Sequence, residues 1–231
     1  MAAQDEGSIG LVQVSDAYWR ATLNLPPLNT FGPPNIPQLD EIVSSLESDT
    51  CAKVVVFDSA VDGFFLTTHD DFLAKPEGSA RFPAVRSGLQ ALSDIFARLS
   101  KASVVSISSI RGRATGVGSE LALATDMRFA SREKAVLSLR KVGTALVPGG
   151  GPMASLPRLM GRGRALELLL GADEVNGDMA ELYGYVNRSM PDDQLDGFVD
   201  ALARGICSFE KQAIAETKRT IRLNSLPFFS G

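Results

Sequence analysis

The sequence predicts an α/β fold, because strand-sized apolar runs alternate with segments of helical periodicity. Residues 53–58 and 104–107 form two such runs, rich in valine and isoleucine. Apolar residues at helical spacing precede each of them, within residues 33–46 and 82–99. The chain has 231 residues, of which 45% are hydrophobic, so it is long enough to bury one large core. An alternation of helices and buried strands is therefore expected.

The other elements are predicted in chain order from apolar patterns and turn residues. Residues 12–25 contain two β-prone pieces around Ser15 and lead into Pro26 and Pro27, which is typical of a hairpin stopped by prolines. Short strands are predicted at 127–130 and 135–139, and helices at 153–160, 165–170, 180–185, 195–206 and 209–223.

Two regions are predicted from this order. Residues 1–170 would form the α/β core and carry the active site. Residues 171–231 are nearly all helical in pattern, so we expect them to pack on the core or on a neighbouring subunit and to serve in oligomerisation.

Composition argues against several functional classes. The net charge is −4, and the basic residues are spread along the chain rather than clustered, so nucleic acid is not expected as a partner. The apolar runs are far shorter than the roughly 20 residues that span a bilayer, and no secretory leader pattern is seen at the N-terminus. We therefore expect a cytoplasmic protein without membrane contact. Two distant cysteines and one histidine give no support for a metal site.

A glycine turn followed by an acid is the strongest chemical signal. Gly116 and Gly118 allow a sharp turn, and Glu120 lies in the first turn of the apolar helical run that follows. An acid beside free backbone N–H groups at a helix start suits the handling of an enolate. The alternative is that Glu120 only complements the helix dipole.

A second unusual segment supports the catalytic interpretation. Residues 62–70 follow the apolar strand at 53–58 and are predicted to form a loop. Two buried strands that each end in such a loop indicate one site at their carboxyl ends.

The chain resembles the crotonase (enoyl-CoA hydratase/isomerase) superfamily in three motifs of matching order and spacing. They comprise residues 54–57 with 64–70, residues 110–126, and residues 147–151. This resemblance implies a spiral of β-β-α units, a homotrimer or hexamer, and an acyl-CoA thioester as substrate. It also implies that the thioester oxygen lies between the backbone N–H groups of Thr68 and Val117, while Glu120 moves the proton. No cofactor is expected, apart from coenzyme A as part of the substrate.

The same motifs supply further candidate residues. Lys141 stands where hydratases carry a second glutamate, so water addition by the two-glutamate route is disfavoured, and lyase or isomerase chemistry through one acid is favoured. His69 is a second candidate acid or base. Predicted substrate-binding residues are Phe65, Leu66, Thr67, Gly116, Leu139, Val142, Pro148 and Gly149.

Two alternatives remain open. The chain could be a CoA-independent hydrolase that cleaves a carbon–carbon bond of a β-diketone, for which His69 and the hydroxyl-rich loop would be suited. It could also be a non-catalytic relative that serves as a binding protein, since the second glutamate is missing.

Overall fold

The computed structural model describes residues 7–68, 91–139, 142 and 151–224. These residues form two sheets whose strands alternate along the chain, with helices between and around them. Within the described residues, no helix combines the length and the apolar character needed to cross a membrane.

The first sheet has six strands, in the spatial order β1-β2-β4-β6-β8-β11. The hairpin predicted near the N-terminus is confirmed, because its two strands pair antiparallel. All other neighbours in this sheet pair parallel. The strands are β1 (Ser8–Gln13), β2 (Tyr18–Asn24), β4 (Val54–Ser59), β6 (Val105–Ile110), β8 (Met127–Ser131) and β11 (Arg188–Met190).

The second sheet has five shorter strands, in the order β10-β9-β7-β5-β3. All pairs in it are parallel except β9 with β10. Its strands are β3 (Thr30–Phe31), β5 (Phe64–Thr68), β7 (Arg113–Thr115), β9 (Val136–Ser138) and β10 (Val175–Asn176). The chain passes from β4 to β5, from β6 to β7 and from β8 to β9, which confirms the expected spiral of β-β-α units.

Eight α-helices lie within the described residues, and most match the predicted segments within a few positions. In the first helix, for example, Leu39, Val43 and Leu46 are fully or almost fully buried at helical spacing. The helices are α1 (Ile36–Ser48), α2 (Ala91–Lys101), α3 (Val117–Ala124), α4 (Pro152–Met160), α5 (Arg162–Gly171), α6 (Gly177–Tyr183), α7 (Asp192–Cys207) and α8 (Lys211–Asn224).

The central strand β4 of the first sheet is buried on both faces, which explains its continuous apolar run. Along β4, Val55 and Phe57 face the larger core, which includes residues of the second sheet. Val54 and Val56 face the opposite way, where they belong to a smaller cluster with Leu195 of α7.

The prediction that residues 62–70 form a loop is wrong for most of that segment. Gly63, at a φ of 74°, lies in the turn after β4, and the chain then forms β5. Because β5 pairs with β7 and β3, both distant in sequence, its pairing does not show as a long local pattern.

Candidate active site

The candidate site lies where β7 ends and α3 begins, against the end of β5. Gly116 joins β7 to α3 with a φ of 55°, a backbone conformation that favours glycine. A Cβ atom at this position would overlap the hydroxyl of Thr68, so position 116 cannot carry a side chain unless Thr68 moves.

The second glycine of the turn lets α3 pack directly on β5. A Cβ atom on Gly118 would overlap the carbonyl oxygen of Leu66. The close approach that Gly118 allows is therefore between α3 and the strand beside it.

The two residues predicted to donate backbone N–H groups are in direct contact. The N–H of Val117 donates to Oγ1 of Thr68 over 2.7 Å. Among the described residues, the nearest acceptor for the Thr68 hydroxyl is the carbonyl of Thr115, at 3.5 Å, which is long for an O–H donor. The structure therefore brings the two segments together, while their role toward a substrate stays a prediction.

Glu120 lies one turn into α3 and is 2% exposed. Its N–H donates to the carbonyl of Gly116, and its position three residues after Val117 puts both on one side of the helix. The neighbouring Ser119 anchors this turn, because its hydroxyl lies 2.6 Å from the carbonyl of Ala114 and 2.9 Å from that of Ser138.

Two buried polar residues were not found from sequence: Tyr185, which interacts with Glu120, and Arg128, which interacts with Tyr185. Burial raises the pKa of the fully buried Tyr185 phenol, against the opposing effects of the nearby Ser119 hydroxyl and the Arg128 charge, and the charge of Glu120 adds to the rise. Burial lowers the pKa of Arg128, whose guanidinium donates to the carbonyls of Tyr185 and Thr125, each at 2.8 Å. Arg128 thus satisfies a carbonyl at the C-terminus of α3.

A cavity of about 880 Å³ reaches Thr67 and Thr68 from the side of the chain that follows β2. Its described lining is uncharged and mixes apolar side chains with Ser8, Asn35 and Gln38.

Asn29 lies between two residues that line this cavity, Leu28 and Thr30, and was also missed from sequence. It is fully buried with a φ of 51°, and its side-chain oxygen accepts from the N–H of Leu25 over 2.8 Å. Its amide donates to Ser59 and to the carbonyl of Phe65. The sequence signal is an asparagine directly after Pro-Pro-Leu, since asparagine tolerates positive φ in turns.

The remaining predicted site residues differ in how far they are buried. Phe65, Leu66 and Leu139 are fully buried in the larger core, so their side chains do not line an open surface. The Thr67 hydroxyl donates to the carbonyl of Leu28 over 3.0 Å, and Val142 is 38% exposed. His69, Lys141, Pro148 and Gly149 lie outside the described residues. The roles proposed for all of them stay predictions.

The described part of the chain contains no cluster of side chains that could bind a metal ion. There, no group of three or more histidine, cysteine, aspartate or glutamate side chains is arranged to hold an ion.

Two proteins that are similar to this chain in sequence are named as hydratases. The profile of the enoyl-CoA hydratase/isomerase family matches residues 15–225. A probable enoyl-CoA hydratase of Mycobacterium tuberculosis is 30% identical, over 87% of this chain and 72% of its own length. Human mitochondrial methylglutaconyl-CoA hydratase is 32% identical, over 69% of this chain and 46% of its own.

A solved structure agrees with the sequence relatives. The crystal structure of a putative enoyl-CoA hydratase from Streptomyces avermitilis superposes with a TM-score of 0.82 and 36% identity, covering 98% of this chain and 81% of that one. The family profile spans nearly the whole described chain, and the fold agrees along its length. The chain therefore belongs to the enoyl-CoA hydratase/isomerase family.

Proposed function

We propose that this protein is an enzyme that forms an enolate from an acyl-CoA thioester, using the backbone N–H groups of Thr68 and Val117 and the carboxylate of Glu120. The observation that carries the proposal is the contact between the end of β5 and the start of α3, with Glu120 in the same helical turn. Family membership supports the substrate class.

The chemistry follows from charge development. Glu120 removes the proton from the carbon next to the thioester carbonyl, and the electron pair moves onto the carbonyl oxygen. Two N–H donors then stabilise the oxyanion, each by about 3 kcal/mol in comparable sites. Return of the proton to the same carbon regenerates the thioester, and return to a conjugated carbon shifts a double bond.

The uncharged cavity beside Thr68 is the proposed place for the pantetheine arm of coenzyme A. The cavity reaches Thr68, whose N–H would bind the thioester oxygen. Its described lining consists of apolar and uncharged polar residues. Glu120 is the only glutamate among the predicted catalytic residues. This favours proton transfer or lyase chemistry over water addition, which uses two glutamates.

The test measures enolate formation without assuming the final product. Purified protein is incubated with butanoyl-CoA in D2O, and deuterium on the carbon next to the carbonyl is measured by mass spectrometry. We expect exchange by the wild type and at least about 100-fold slower exchange by Glu120→Gln, with unchanged thioester affinity and melting temperature. Glu41→Gln, an exposed acid on α1, is the matched control and should behave as the wild type.

Equal exchange rates in wild type and Glu120→Gln would remove Glu120 from the mechanism. If the wild type binds no thioester, cleavage of a β-diketone such as acetylacetone is the next activity to measure. A non-catalytic binding role is the second candidate, because the Val117 N–H already has an acceptor in this structure. Thioester binding without exchange would favour that role.

A further inference from the structure

We infer that the Thr68 side chain acts as an internal competitor for the acyl oxygen and so sets the affinity of the site for thioesters. The inference rests on the proposed function, because it concerns the same N–H group of Val117. Thr68 would then determine how readily the N–H of Val117 can bind a ligand.

The hydrogen-bond capacity of Val117 limits what a ligand can gain from it. A backbone N–H has one hydrogen, and in this structure it points to the Thr68 hydroxyl at 2.7 Å. A substrate oxygen must therefore replace this hydroxyl or share the hydrogen with it.

The hydroxyl of Thr68 occupies the space beside Gly116. The absence of a side chain at Gly116 makes the space that the hydroxyl fills, since a Cβ atom there would overlap Oγ1 of Thr68. Among the described residues, the nearest acceptor for this hydroxyl is the carbonyl of Thr115, 3.5 Å away, which is long for an O–H donor. The short contact is the one in which the hydroxyl oxygen accepts from Val117, as the carbonyl oxygen of a ligand would.

Displacement of this hydroxyl affects the affinity for a ligand. Losing one hydrogen bond on ligand entry, at the usual net value of such a bond, corresponds to about a tenfold loss of affinity. Thr68→Ala removes the competing oxygen and frees Val117, so it should bind a thioester about tenfold more tightly. Thr68→Ser keeps the hydroxyl and should resemble the wild type.

The experiment compares two ligands that differ by one oxygen. Dissociation constants are measured by titration calorimetry for butanoyl-CoA and for S-butyl-CoA, the thioether that lacks the carbonyl oxygen. We expect Thr68→Ala to improve only the thioester affinity. Equal improvement for both ligands, or weaker thioester binding by Thr68→Ala, would overturn the inference.

A measurement on the ligand-free protein keeps the inference separate from the proposed function. Amide hydrogen exchange of Val117 is measured by NMR in the wild type, Thr68→Ser and Thr68→Val. Valine has nearly the shape of threonine but cannot accept, so we expect faster exchange only in Thr68→Val. Equal exchange in all three would refute the hydroxyl contact, whether or not any thioester binds. If exchange behaves as expected but no thioester binds, the contact stands and the proposed function fails.

Discussion

Asn29 is a single residue on which the geometry beside the candidate site depends. Its side chain bridges the end of β2, through Leu25, to Ser59 at the end of β4 and to the backbone of β5. Its own carbonyl accepts from the N–H of Thr67 over 2.8 Å. One buried amide therefore fixes the strand that ends in Thr68.

Substitution of Asn29 should separate the value of these hydrogen bonds from that of the backbone conformation. Asn29→Gly keeps the positive φ but leaves buried groups of Leu25 and Phe65 without their partner, so we expect unfolding to become about 2–3 kcal/mol easier. Asn29→Ala adds the strain of a side chain at φ 51° and should cost about 1 kcal/mol more.

Urea denaturation of both variants measures the difference. If Asn29→Gly were as stable as the wild type, the bridging role of the amide would be refuted. If alanine equalled glycine, the strain at this position would be refuted instead.

At the residue scale, sequence predicts backbone requirements better than side-chain contacts. The turn at Gly116 and Gly118 is predictable because only glycine tolerates such backbone geometry or such close packing. The contact between Thr68 and Val117 is not, since it depends on a rotamer chosen where two distant segments meet. Tyr185 is missed for the same reason, because its neighbours are distant in sequence.

At the element scale, an ion-pair network fixes the start of α7 against the first sheet. Asp192 accepts from Nε of Arg111 over 2.7 Å and pairs with Nζ of Lys134 at 2.8 Å. Partial burial would raise the pKa of Asp192, but the hydrogen bonds from Lys134, Arg111 and Ser131 outweigh it and hold that pKa well below the usual 3.8.

The pH dependence of this network has a defined sign. The pKa of Asp192 is lower in the folded than in the unfolded protein, so its stabilisation is fully present above about pH 4 and is lost as the pH falls through the folded value. Asp192→Asn should therefore lower the free energy of unfolding by about 1 kcal/mol at pH 7, and the gap should narrow below pH 4.

Denaturation curves between pH 3 and pH 7 test this expectation. Asp193→Asn is the matched control, because Asp193 is exposed in the same first turn of α7 and shares its helix-dipole effect. A gap that widens toward low pH, or that also appears in the control, would contradict the assignment.

Elements with a long local pattern are predictable, and short paired strands are not. The apolar spacing in α1, α7 and α8 gives their positions within a few residues, and β4 and β6 stand out as apolar runs. The strands β3, β7 and β10 have only two or three residues each, so their existence depends on pairing with partners far along the chain.

At the scale of the whole molecule, the chain after residue 170 is continuous with the core. Strand β11 pairs with β8 at the edge of the first sheet, and α7 packs on that sheet. In contrast, α8 has no buried residue and is attached through lysines: Lys211 donates to the carbonyl of Asp49, and Lys218 pairs with Asp126 at 2.7 Å. The oligomerisation role predicted for this region stays a prediction.

An exposed apolar surface supports a proposal of self-association. It is carried by the helices α4, α5 and α6. The carbonyl of Leu159 in α4 lies against Gly184, which directly follows α6, and Arg164 of α5 donates to the carbonyl of Leu182 in α6. Its exposed side chains are Met153, Leu159, Leu166, Leu170, Met179 and Leu182, with exposed fractions between 39% and 63%. A patch of this kind is typical of a surface that another protein covers.

We expect this surface to be the subunit contact of the proposed homotrimer or hexamer. Burying a leucine side chain contributes about 1.5–3 kcal/mol, so a charge at two such positions should abolish the contact. Leu170→Glu combined with Leu182→Glu should therefore give a monomer at micromolar concentration by light scattering, with an unchanged circular dichroism spectrum. Val12→Glu is the matched control, because Val12 is 59% exposed on β1, outside this surface. A wild type that is already monomeric, or a control that dissociates equally, would refute the assignment, since the assembly would then not depend on these helices.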